Sequence, residues 1–230
     1  WKANGGTTTT NDASSTGVGT LDSVFQANTT AGFSIVTYTG FGETVKTIAH
    51  GLGVIPQMIL FKSRGAAGAW HVYHQSTGNT KALYLNTTDG ATTDNNFLNQ
   101  VTPTDTLITL GTGSGANPEN VTMVAYCFAE VEGYSKIGSY IGNSNGDGTF
   151  VFTGFKPAWV MVKRTDSANN WVINDSTRTP SNEITGSSST LYADSTGKES
   201  NFDTNVDFLS NGFKARTTGG HRNASGTYIY

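Results

Sequence analysis

An all-β fold of two tandem β-sandwich units, related by an internal duplication, is predicted by three observations. Strand-favouring Thr and aromatic residues are interspersed with turn-favouring Gly, Asn and Ser. No window keeps an apolar 3.6-residue period for even three turns. A set of landmarks recurs 101 positions along the chain. Glu, Lys, Arg and Gln, the usual helix formers, are scarce over 230 residues.

The recurrence sets the architecture. Gly53, Pro56, an apolar run and Lys62 are answered by Gly154, Pro157, an apolar run and Lys163, and Trp70 by Trp171. Small slips follow: Phe33-Ser34 matches Tyr134-Ser135, Tyr38-Thr39-Gly40 matches Tyr140-Ile141-Gly142, and Leu83-Tyr84 matches Leu191-Tyr192. Asn96-Phe97 matches Asn201-Phe202, and the run Thr122 to Phe128 matches Thr227-Tyr228-Ile229-Tyr230. The drifts fall in loop-like stretches, where insertions are tolerated. Trp1 sits where Phe128 sits before the second unit, so it reads as the last strand of a preceding copy. The chain is therefore expected to be a window of a longer array. Residues 1–32 would be the end of a preceding repeat plus a linker, 33–133 the first sandwich, and 134–230 the second, truncated at its last strand.

Strands are expected where runs of 4–8 residues lie between Gly/Asn/Asp/Ser clusters. In the first unit these are Phe33–Tyr38, Gln57–Lys62, Trp70–His74, Ala82–Asn86, Leu107–Leu110 and Val121–Phe128. In the second they are Ser135–Ile141, Thr149–Thr153, Trp159–Lys163, Trp171–Asn174, Thr190–Ala193, Gly212–Arg216 and Gly226–Tyr230. Pro56 and Pro157 mark strand starts, because proline lacks the N–H that a central ladder needs. Asn145-Gly146-Asp147-Gly148 predicts a hairpin. Thr7–Ala31, rich in Thr, Ser, Asn and Gly, predicts a linker with one edge strand around Leu21–Phe25.

Charge argues against several partners. Only 13% of residues are charged and the formal net charge is −3. Lys and Arg never cluster beyond Lys163-Arg164, whereas a nucleic-acid face needs a basic stripe. No run approaches the ~20 apolar residues of a membrane span. The single cysteine, Cys127, lies in an apolar run and reads as a buried, inert thiol rather than a disulfide partner. Five N-glycosylation sequons, at Asn28, Asn86, Asn120, Asn174 and Asn223, carry little weight in so Asn- and Thr-rich a chain.

A glycosidase needs two carboxylates roughly 5–9 Å apart, but Asp89, Asp94, Asp105, Asp147, Asp166 and Asp194 lie in turn-like stretches that favour Asx turns. Asp147 and Asp175 are the acids to test should a hydrolase be sought. His71 and His74, three apart on a strand, face opposite sides and cannot share an ion. Asn143-Ser144-Asn145-Gly146-Asp147-Gly148 lacks the closing Glu of a calcium loop. No phosphate-binding Gly-x-x-x-x-Gly-Lys-Ser/Thr loop occurs. Trp159, Trp70 and Trp171 could form a sugar-stacking platform, but the shared register of Trp70 and Trp171 favours the core. No catalytic, cofactor-binding or metal residue is therefore assigned, no cofactor is expected, and ligand contacts are expected in loops such as Thr87–Asn99 and Pro180–Ser189.

Several motifs together resemble a repeat module of marine bacteriophage structural proteins of tail-fibre or lectin-like type. They are Trp1 to Thr8, Asn28 to Val36, His50 to Val54, Val124 to Ser135, Pro157 to Asp166 and Phe208 to Phe213. The likeness spans essentially the whole chain. It implies sandwiches of jelly-roll or lectin-like type, a place on the virion surface outside the cell, other virion proteins as partners, and a homo-oligomer, trimeric if fibrous. It supplies no catalytic or binding residues. The expected function is a non-catalytic tail-fibre or appendage module for host attachment, touching a cell-surface glycan or protein. A structural head-decoration or spacer protein is the alternative, and a polysaccharide-degrading tailspike ranks third.

Overall fold

The computed structural model describes residues 1–3, 8–178, 182, 189–199 and 206–230. The expected match of Asn96-Phe97 to Asn201-Phe202, nearly all of the 180–189 loop, and Asn4 to Thr7 lie outside the described residues. The chain is nearly all β, in antiparallel sheets, and divides into two compact units. Unit 1 comprises Trp1–Tyr84 and Thr92–Val131; unit 2 comprises Leu85–Ala91 and Glu132–Tyr230.

Unit 1 holds β1 (Thr9–Asn11), α1 (Ala13–Thr16), β2 (Ser23–Asn28), β3 (Phe33–Thr39), β4 (Lys46–Ala49), β5 (Met58–Ser63), β6 (His71–His74), β7 (Lys81–Tyr84), β8 (Thr92–Thr93), β9 (Leu107–Leu110) and β10 (Thr122–Phe128). Eight of these strands run in the order β1-β2-β3-β10-β5-β6-β7-β8, and β4 pairs with β9 in a second, smaller sheet. The period-2 alternation sends Val36, Tyr38, Ile59, Phe61, Ala125 and Cys127 from the large sheet into one core with Ile48, Ile108 and Leu110 from the small one. Two layers facing across one core make the sandwich.

Unit 2 holds β11 (Ser139–Gly142), β12 (Phe150–Phe152), β13 (Trp159–Arg164), β14 (Val172–Asp175), β15 (Leu191–Tyr192), β16 (Val206–Leu209), β17 (Gly212–Ala215) and β18 (Gly226–Ile229). The sheet β11-β18-β13-β14-β15 supplies Tyr140, Val160, Val162 and Tyr228 to the core. The sheet β12-β17-β16 supplies Val151, Val206, Phe208 and Phe213.

Four expectations need correction. Residues 8–31 are more than a linker: the strand expected around Leu21–Phe25 is β2, which pairs with β3 from Ser23 opposite Tyr38 to Asn28 opposite Phe33, and β1 pairs with β2 on its other side. Asp12 caps the single turn α1 by accepting from Ser14 N and Ser15 N, and Gly17 ends it at φ 68°. Side-chain capping and edge pairing, rather than apolar periodicity, order this polar stretch. The Asn145–Gly148 segment is not a hairpin turn, since β11 pairs with β18 while β12 pairs with β17. The chain crosses there from one sheet to the other, its loop held by a side chain from far along the sequence. β4, β8 and β16, of four residues or fewer, lie where no strand was expected, because such short runs carry too little alternation to stand out. Trp1 is in no strand; its ring packs edge-on to Phe128 at 5.0 Å.

Candidate functional site

A cleft lies in unit 1, where β1, β2, β3 and β10 end together. The register explains it: Val24 faces Thr37 across β2 and β3, and Thr39 faces Thr122 across β3 and β10. Because Tyr38 and Met123 turn into the core, their neighbours Thr37, Thr39 and Thr122 turn the other way. Thr10, Asp22 and Arg64 complete a cleft of about 440 Å³. Arg64 is set in place by its backbone N–H, which donates to Thr122 O at 2.8 Å. Asp22 Oδ1 accepts from Ala13 N at 2.9 Å, tying the acid to the start of α1.

The lining carries four threonine hydroxyls, one carboxylate and one guanidinium, so its charges balance. Such a surface offers donors and acceptors in several directions and suits a hydroxylated, uncharged ligand. A two-carboxylate hydrolysis needs a second acid across the scissile bond, and Asp22 is the single acid in this lining. None of these residues was singled out in the sequence. The available signal was the run Thr37, Thr39 at strand spacing facing Thr122, which pairing alone reveals.

Most of the acids in the turn-like stretches take local structural partners. Asp94 accepts from Asn96 N at 3.1 Å, and Asp89 accepts from the Thr87 hydroxyl at 2.9 Å. Asp194 accepts from Trp171 N and from Asn170 Nδ2, at 2.9 and 2.7 Å. Asp166 pairs with Arg164 at 2.6 Å, and Asp175 pairs with Arg178 at 2.7 Å. Asp147 lies 2.5 Å from Lys214 Nζ, whose hydrogen bond holds the carboxyl below the usual range. Asp105 is exposed.

Among the described residues, no group of three or more His, Cys, Asp or Glu side chains is placed to hold a metal. His74 is buried and its Nδ1 accepts from Ser76 N, while His71 packs against the rings of Tyr84 and Phe97. Cys127 is fully buried, and burial pushes its thiol pKa up.

The tryptophans divide. Trp171 is core, 1% exposed, whereas Trp70, expected in the core with it, is half-buried and stacks on Tyr126 at 6.2 Å. Trp159 stands outward at 42% exposure. The Thr87–Asn99 loop is not freely displayed at its start. Thr88 O accepts from Lys163 Nζ at 2.9 Å and from Asn169 N at 2.8 Å. Lys163 is itself fully buried, also donates to Asn169 O at 2.7 Å, and burial brings its pKa down to about 8.

A family model described as a domain of unknown function (DUF7483) matches residues 1–230. No curated protein and no solved structure matches the chain.

Proposed function

The chain belongs to the DUF7483 family, a domain of unknown function, and we propose that it serves as a non-catalytic, surface-exposed module of a bacteriophage tail fibre or appendage that attaches to the host. The observation that carries this reading is the charge-balanced, hydroxyl-lined cleft formed by Thr10, Asp22, Thr37, Thr39, Arg64 and Thr122. A fibre multiplies weak contacts by copy number, so a shallow neutral cleft is sufficient for retention on a surface.

The proposal includes an origin by duplication, trimeric assembly in a fibre, and a virion location outside the cell. Supporting the duplication, β10 is flanked by β3 and β5 as β18 is by β11 and β13. Also supporting it, Tyr38 OH donates to Ala116 O and Tyr140 OH to Arg222 O, at 2.5 and 2.6 Å.

A second reading, a head-decoration or spacer protein, draws on the pinned Thr87–Ala91 stretch, which is built for rigidity rather than display. Gold-tagged antibody against this chain, imaged on intact virions, separates the two. Gold at fibre tips is the expected result. Gold over the head would sink the attachment reading.

A further inference from the structure

Unit 2 presents a second surface that the cleft does not explain. Along β12 the strand period turns Val151 into the core and leaves Phe150 and Phe152 on the outer face, 42% and 62% exposed. They stand about 7 Å apart along the strand. The register sets Phe150 beside Lys214 and Phe152 beside Gly212, with Asp207 and Leu209 next on β16. A Cβ on Gly212 would lie 2.0 Å from Val151 O and 3.0 Å from Phe150 Cε2. The glycine thus lets an aromatic ring lie low across the sheet and form an apolar floor.

A polar rim borders that floor. Asp147 Oδ1 sits 2.5 Å from Lys214 Nζ and 3.2 Å from Arg216 Nη1, and Asp207 Oδ2 sits 3.4 Å from Arg216 Nε. Two cations meet two carboxylates, so the rim is neutral while keeping unsatisfied donor and acceptor capacity.

We propose that this shelf binds a neutral saccharide, with one or two sugar rings stacked on Phe150 and Phe152 and their hydroxyls hydrogen-bonded to the Asp147, Asp207, Lys214 and Arg216 rim. A pyranose has a C–H face that gains dispersion against an aromatic ring, and an equatorial rim of hydroxyls that needs polar partners; this surface offers both in that order.

The alternatives fit worse. An anionic polymer needs unbalanced positive charge, and the rim has none. The two rings expose roughly 200 Å² together, judged from the ~150–250 Å² an aromatic side chain can bury. A stable protein interface takes about 800 Å² per partner. β12 is the outer strand of its sheet but has three residues, too short an edge to template a second copy. The ligand class rests on the attachment reading; the residues are separate from the unit 1 cleft.

The test is affinity electrophoresis of the whole chain in native gels containing glucan, mannan, galactan or, as anionic probes, alginate and a sulfated galactan. Retardation by at least one neutral polymer is expected, weakened about tenfold, or 1.4 kcal/mol, in Phe152→Ala and retained in Phe152→Trp. Thermal unfolding of each variant verifies that the fold is intact. No retardation by any neutral polymer overturns the inference, as does retardation that the Phe150→Ala/Phe152→Ala double variant leaves unchanged. Retardation confined to the anionic gels, or self-association lost in Phe152→Ala, also overturns it. Loss of the fibre-tip location with retardation intact removes the attachment reading alone.

Discussion

Asn117 is buried, and its side chain serves four backbone groups at once. Its Oδ1 accepts from Phe41 N, and its Nδ2 is shared among Gly42 O, Thr44 O and Gly111 O at 2.9 to 3.0 Å. Asn223 acts likewise in unit 2: Nδ2 reaches Asn143 Oδ1, Asn145 O and Thr217 O, and Oδ1 accepts from Asn143 N and Thr149 N. Cutting Asn117 to Ala leaves several buried groups unpaired, at about 1–3 kcal/mol each. Asn117→Ala should therefore lose at least about 3 kcal/mol in urea unfolding; a loss below about 1 kcal/mol would show that water replaces the latch.

Lys163 makes a pH-dependent prediction at the same scale. Folding lowers its pKa to about 8, against about 10.4 unfolded. Between those values the unfolded chain holds the extra proton, so stability rises with pH across the window and is lost again as pH falls towards 8. The full span is worth at most about 3 kcal/mol. Cys127 and the buried Tyr38 and Tyr140 act with opposite sign, because burial raises their pKa values. The lysine part is therefore read as the difference between wild type and Lys163→Met in urea unfolding from pH 8 to 10. That difference should grow in favour of wild type, and a flat difference would count against a desolvated lysine.

At the scale of elements, crossings between sheets depend on glycines where backbones nearly touch. A Cβ on Gly142, at the end of β11, would lie 2.1 Å from Ala224 O. Gly142→Ala should cost about 1–3 kcal/mol through forced backbone displacement. Hydrogen exchange should accelerate first along β11 and β18, which pair at this point. Unchanged protection there, with stability intact, would mean that the strands shift apart without cost. Gly212 keeps β12 against β17 for the same reason, and so keeps the aromatic shelf flat.

Across the whole molecule, low charge shapes the expected binding. The formal net charge is −3 over 230 residues, and both candidate surfaces balance their own charges. Screening at high ionic strength removes long-range attraction but leaves short hydrogen bonds and stacking. Raising NaCl from about 0.1 to 0.6 M should thus change retardation in neutral-polysaccharide gels by less than about threefold. A steep loss with salt would point to a charged ligand instead.

The sequence by itself determined the β class and the position of most strands. Apolar runs such as Met58–Ser63 and Thr122–Phe128 alternate in and out of a core, and that period is local information. It also identified Trp171 and Cys127 as core residues. Tertiary structure alone decided which strands share a sheet, hence that Asn145–Gly148 is a crossover held by Asn223 rather than a hairpin. It alone ordered residues 8–20 through capping and edge pairing. It alone left Trp70 half-buried against Tyr126 and brought Thr10, Asp22, Arg64 and Thr122 around one cleft. The physical reason is the same in each case. Alternation along a strand says which side chains share a face, but register between distant strands sets which faces meet, and that depends on contacts dozens of residues apart.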